Sequence, residues 1–185
     1  MLRKKGMIVP TKAPGHVFFF APFVSSVMRI EPAWIDSNGH LNMAWYHHVM
    51  DRAIDESLLI LGLGPDYRSQ RNGSIFMAET HVQFKRELLV NMPVRTSLQL
   101  IDYDEKRIHY WCELRHAEEG WLSATSENLS LHIDMGERKV CPFPPDILTN
   151  LQVMKAAHSA LPKPEQLGRV MGIPTHKASG RPNIH

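Results

Sequence analysis

Asp36, Ser37, Asn38, Gly39, His40, Leu41 and Asn42 place a carboxylate, an imidazole and a carboxamide within seven consecutive residues. A carboxylate can act on water as a general base or attack a carbonyl itself as a nucleophile. Asn38-Gly39 is turn chemistry, because glycine reaches positive φ without strain and asparagine tolerates it. Asn42 stands where a helix N-cap belongs. Beyond it Tyr46, Met50, Ala53, Ile54, Ser57, Leu58 and Leu61 recur mostly at steps of three and four, which predicts a long helix with one buried stripe. Asp36 then lies just ahead of a helix start, beside unpaired backbone N–H groups and a positive dipole end. Two readings stay open from the pattern alone. Asp36 caps a turn, or it serves as an acid or nucleophile beside donors that polarise a carbonyl.

The elements that must hold this run are legible around it. Val24 to Ile30 reads as a first strand, and the helix stops at Gly62-Leu63-Gly64-Pro65. Asp66 to Asn72 reads as a polar connection. Ser74 to Leu89 alternates, with Ala78, Thr80, Val82 and Phe84 on one face and Glu79, His81, Gln83 and Lys85 on the other. Further strands follow over Val94 to Tyr103, Arg107 to Glu118 and Trp121 to Asp134, joined by short turns such as Asp104-Glu105-Lys106. A bulge is expected near Asn128. A long helix followed by hairpin-linked strands predicts an α+β class, an antiparallel sheet wrapped around one central helix. The reading divides the chain into an N-terminal arm (1–21), a main domain (22–136) and a C-terminal extension (137–185) with a short helix at Asp146 to Leu161 and a mobile tail.

With 185 residues, 43% hydrophobic and 22% charged, the chain is long enough to bury a core. A formal net charge of +2 carries no nucleic-acid signature. Two cysteines, Cys112 and Cys141, build neither a disulfide framework nor a metal-ligand spacing, and a reducing cytoplasm fits them. Arg3-Lys4-Lys5 and the apolar run Val17 to Val24 share features with a secretory signal. Pro10, Pro14 and Gly15 separate the two parts and Pro22 interrupts the run, so the segment reads as an extended arm. No apolar run approaches the roughly 20 residues of a membrane-spanning helix.

The Asp-Ser-Asn-Gly-His-Leu-Asn run ahead of an apolar helix and long antiparallel strands resembles the hotdog-fold acyl-CoA thioesterases. It is most similar to the 4-hydroxybenzoyl-CoA thioesterase branch, with its Asp three residues before Gly and a Tyr in the first helical turns, here Asp36, Gly39 and Tyr46. His40 to Asn42 is similar to the Gly-His-(apolar)-Asn variant of fatty-acyl and acyl-carrier-protein thioesterases. The extended form and motif also resemble betainyl-CoA thioesterases of carnitine breakdown. The resemblance spans residues 23 to 136. It implies a homodimer or dimer of dimers with shared active sites, and an acyl-CoA substrate without metal or other cofactor. It makes Asp36 the nucleophile or general base, with a backbone N–H of Gly39 or its neighbours polarising the carbonyl. Hotdog hydratases or dehydratases and a non-catalytic acyl-CoA-binding protein are the alternatives.

Other residues join the candidate set. His40 orients substrate or fixes the turn, and Asn42 adds substrate or water orientation to its cap. Glu79 is a second carboxylate and His81 its strand neighbour. His47 and His48, being adjacent, point to different sides of a helix and cannot chelate one ion. Trp34, Trp45 and Tyr46 are expected near the acyl group, where aromatic faces suit a quaternary ammonium. Arg86 belongs to a set of cations suited to coenzyme A phosphates.

Overall fold

A computed structural model describes residues 19–173. Most of the expected arm and the end of the C-terminal tail lie outside the described residues. The element order is β1 (Phe23–Val24), β2 (Met28–Arg29), a single 3₁₀ turn (Pro32–Trp34), α1 (Met43–Leu61), α2 (Pro65–Arg71), β3 (Gly73–Phe84), β4 (Pro93–Tyr103), β5 (Arg107–His116), β6 (Leu122–Asp134), β7 (Lys139–Val140) and α3 (Pro145–His158). The strands form one antiparallel sheet in the order β1-β4-β5-β6-β3, with β2 also on β4 and β7 on β6. The α+β expectation of a sheet around a central helix holds.

The central helix forms where the periodicity placed it. The Asn42 carboxamide oxygen accepts the Ala44 N–H at 3.0 Å, satisfying one orphan donor of the first turn. At the other end Gly62 adopts φ +87°, and Leu63 N–H reaches back to the Leu58 carbonyl at 2.8 Å. Those bonds close the helix in the left-handed glycine cap that only a residue without Cβ adopts freely. The N-terminal half of α1 buries Tyr46, Val49 and Met50 against Ile30, Trp34, Leu41, Leu88, Val94, Leu114 and Ala124. Its C-terminal half buries Ile54 and Leu61 with Leu98, Leu100, Ile108, Tyr110 and Cys112.

Four expectations are corrected. The first strand is two short pieces, because the Ser25 hydroxyl, in place of its carbonyl, accepts the Thr96 N–H of β4 and Ser26 turns its N–H to Glu56. The polar connection after Gly64 is a helix, α2, since Pro65 is pre-set for a first helical position and Tyr67 is buried. β3 ends at Phe84 rather than at Leu89, because Lys85 and Arg86 both turn their N–H groups to the Ser123 carbonyl. The bulge near Asn128 is absent, and pairing there is regular with both Thr80 and Tyr110. The bulge on β3 lies instead between Met77 and Glu79. It changes which residues face α1, with Ile75 and Met77 inward before it and Thr80, Val82 and Phe84 inward after it.

The segment after β7 belongs to the same core. Ile147, Leu151 and Met154 of α3 are buried with Leu98, Leu100 and Phe143. A second irregularity, between Leu100 and Asp102 of β4, leaves backbone groups that α3 satisfies. The His158 Nδ1 accepts the Leu100 N–H at 2.8 Å, and Lys155 Nζ donates to the Ile101 carbonyl. The chain then crosses the outer face of the sheet. There Gln99 donates to Pro162, and Gly168 N–H donates to Glu127 at 2.7 Å.

Candidate active site

The motif is a closed hairpin ahead of α1. Gly39 N–H donates to the Asp36 carbonyl at 3.1 Å, and Gly39 sits at φ +84°. Asp36 N–H and the His40 carbonyl pair at 3.0 Å, as do Asn42 N–H and the Trp34 carbonyl. Leu41 N–H donates to Leu88 at 2.8 Å, fastening the hairpin to the segment that follows β3. Asp36 Oδ1 accepts the Asn38 N–H at 2.8 Å. Its Oδ2 has no protein partner among the described residues, and its side chain is 21% exposed. One carboxylate oxygen is therefore held by the turn, while the other remains available to a reacting group.

Gly39, expected to polarise a carbonyl, uses its own N–H inside the turn. Asn38 does the same, with its N–H on Asp36 Oδ1. The N–H groups of His40 and Met43 have no acceptor among the described residues. Met43 is the first residue of α1, where an orphan donor coincides with the positive end of the dipole. The His40 Nδ1 is 4.0 Å from Asp36 Oδ1 and 3.5 Å from the Leu41 carbonyl, so the ring lies beside the carboxylate without a close bond to it.

The aromatic residues divide. Trp34 is buried and stacks on Trp45, with centroids 5.2 Å apart and planes at 16°, while His48 sets its ring edgewise to both. This stacking leaves the pair as packing for the helix start and not as an open cage. Tyr46 is also buried, against Phe84 at 5.0 Å. Burial raises its phenol pKa, partly offset by bonding to Ser123 and Leu88.

Glu79 and His81 do not join Asp36 within the subunit. Beyond the β3 bulge they face away from α1, into an outer cavity of about 480 Å³ shared with His109, Glu127 and Arg107. A smaller cleft of about 210 Å³ lies between α1 and β3, lined by His47, Asp51, Met77, Thr80, Ser126 and Asn128 among others. The sequence reading missed this cleft. Its polar floor is closed internally, since Thr80 donates to Asn128 Oδ1 at 2.8 Å and Asn128 donates to Ser126 Oγ at 2.9 Å. His47 lies four residues beyond Met43, about 6 Å along the helix, so the cleft opens one turn past the free donor.

Thiol chemistry is disfavoured at neutral pH. Burial pushes the Cys112 thiol up to about 12 and also raises Cys141. A thiolate, not a thiol, is the nucleophile. A carboxylate such as Asp36 can attack an acyl carbon or take a proton from water without that cost.

Comparison with known proteins bears on this geometry. The model of the thioesterase-like superfamily matches residues 30–151. A betainyl-CoA thioesterase of Pseudomonas aeruginosa is 35% identical over 143 residues, covering 77% of this chain and 90% of that protein. An L-carnitine dehydrogenase/betainyl-CoA thioesterase of Rhizobium meliloti is 31% identical over 144 residues, which is 78% of this chain and 29% of that protein. A hypothetical protein of Staphylococcus aureus, solved in complex with CoA, superposes with a TM-score of 0.78 at 25% identity, covering 86% of this chain and 100% of that one. Because the matched span holds the motif hairpin, α1 and every long strand, the chain belongs to the thioesterase-like superfamily and is a hotdog-fold thioester hydrolase.

Proposed function

We propose that the protein is a cytoplasmic homodimer that hydrolyses betainyl-CoA to betaine and free CoA, a step of carnitine degradation, with Asp36 as the reacting carboxylate. The observation that carries the reading is the state of Asp36. One oxygen is anchored on Asn38 N–H, the other is unengaged, and the unpaired Met43 N–H stands at the adjoining helix start. The thioester carbonyl oxygen lies against that donor, which stabilises the charge that develops as the carbonyl becomes tetrahedral. Asp36 takes a proton from water as the water oxygen bonds to the acyl carbon, or its free oxygen bonds there directly and water later cleaves the resulting anhydride. In both sequences the carbon–sulfur bond breaks and CoA leaves as the thiolate, taking up a proton.

The relative named for betainyl-CoA supports the substrate, with 90% of its length covered. Physical chemistry supports it as well. The betainyl ammonium lies one carbon beyond the carbonyl, so a carboxylate working at that carbonyl also neutralises the acyl charge. The dimer is supported by β3, a 12-residue strand that among the described residues has β6 on one edge only and exposes Phe76, Met77 and Phe84. A second copy across that edge also covers the cleft beside α1.

The test is free-thiol release from a panel of acyl-CoA esters. It includes betainyl-CoA, acetyl-CoA and 3,3-dimethylbutanoyl-CoA, the uncharged isostere of the betainyl group. Betainyl-CoA is expected to show the highest kcat/KM, at least tenfold above the isostere. Equal turnover of the two removes the cationic substrate, and no thiol release from any ester removes the hydrolase reading.

A further inference from the structure

Arg86 is an exposed cation held by an aromatic face and not by a carboxylate. Arg71, Arg107 and Arg115 each pair with a carboxylate, at 2.8, 2.6 and 2.8 Å. No carboxylate pairs with Arg86 among the described residues, and none of its guanidinium N–H groups is engaged there. Its guanidinium lies instead over the Trp121 ring, 4.0 Å from the centroid. The platform is itself fixed. Trp121 donates its indole N–H to Glu119 at 2.7 Å and stacks on the buried His116 ring, with centroids 5.2 Å apart. Donation to a carboxylate enriches the indole in electron density, which strengthens its hold on a cation. The Arg86 backbone is held as well, because Arg86 N–H donates to the Ser123 carbonyl and the Ser123 hydroxyl donates to the Arg86 carbonyl at 2.7 Å.

This cation is also next to the reacting turn. Leu88, whose carbonyl accepts the Leu41 N–H, is two residues from Arg86, at most about 7 Å of chain. Trp121 packs on the same apolar cluster as Trp34 and Leu41. A guanidinium lying over an indole keeps its N–H edges free, and those edges match phosphate oxygens in bidentate geometry. Holding the side chain in advance removes much of the ordering entropy a flexible arginine loses on binding.

We infer that the Arg86–Trp121–His116 stack is the subsite for the phosphates of the coenzyme A nucleotide, with Arg86 as the phosphate ligand and Trp121 as the residue that positions it. The inference rests on the acyl-CoA reading above. The pantetheine arm connects the stack to the Asp36 hairpin.

The test uses adenosine 3′,5′-bisphosphate as a probe of the nucleotide half, titrated calorimetrically into the full chain. Binding by the wild type, weakened at least tenfold in Arg86→Gln and in Trp121→Leu and largely kept in Trp121→Phe, is the expected result. In parallel, the preference for an acyl-CoA over the matching acyl-pantetheine, taken as a ratio of kcat/KM, falls by a similar factor through KM. Equal affinity of wild type and Arg86→Gln for the bisphosphate overturns the assignment, as does an unaltered ratio. Wild type that binds the bisphosphate through Arg86 but hydrolyses no thioester upholds the subsite and overturns the hydrolase reading alone.

Discussion

Asp36 is held by bonds that all arise within a few residues of it. The Asn38 N–H fixes one oxygen, and the Asp36 carbonyl closes the turn on Gly39. An amide oxygen at position 36 can keep the Asn38 bond but cannot accept a proton from water or attack as an anion. Asp36→Asn is therefore expected to lower kcat by at least about 10²-fold, the scale of a lost acid–base group. Steady-state kinetics on betainyl-CoA, with circular dichroism to confirm an unchanged fold, make the check. Full activity in the variant removes Asp36 from the mechanism. The local character of these bonds is why the motif was legible, since turn and cap chemistry depends on neighbours in sequence. The free donor at Met43 was not legible at that resolution. Which N–H remains unpaired depends on how the hairpin closes on Gly39 and Leu88.

Among the elements, α1 was legible from its spacing and β3 only in part. Alternation placed Thr80, Val82 and Phe84 together, and they do face the helix. The bulge at Ala78 then brings Met77 to the same side, which a strict period of two forbids. Helix α3 shows a different device. His158 is buried, accepts the Leu100 N–H and bonds through Nε2 to the Phe20 carbonyl at 2.9 Å. Both bonds require a neutral ring protonated on Nε2. Burial lowers its pKa below the ordinary 6.5, only partly offset by the Phe20 bond. The unfolded chain thus takes up this proton first. The stabilisation is fully present above the unfolded pKa and is lost as pH falls through the lowered folded value. Thermal unfolding of wild type should show a midpoint that drops between about pH 7 and pH 5. His158→Gln, which offers an acceptor and a donor without titrating, should show a flatter profile. Matching profiles would assign the loss to other groups.

At the scale of the whole molecule, two apolar clusters share α1, one around the motif hairpin and one around α3. The free edge of β3 adjoins the cleft between them. Replacing Met77 with Lys places a charge where a second copy is proposed to lie. Sedimentation of the wild type should report twice the mass of one chain. Met77→Lys should shift the population toward single chains, with kcat/KM falling in step. A wild-type protein that sediments as one chain rejects the dimer.

The amino-acid order alone determined the capped helix, the turn that carries Asp36 and the alternation of four long strands, because each depends on residues within one or two turns of chain. Tertiary structure decided the rest. It buried Trp34 against Trp45, brought Met77 inward across the β3 bulge, and set Arg86 over Trp121, a partner 35 positions away in sequence. Contacts of that kind follow from strand register and bulge position. Those are chosen by the summed packing of the whole sheet against its helix, and no local spacing encodes them.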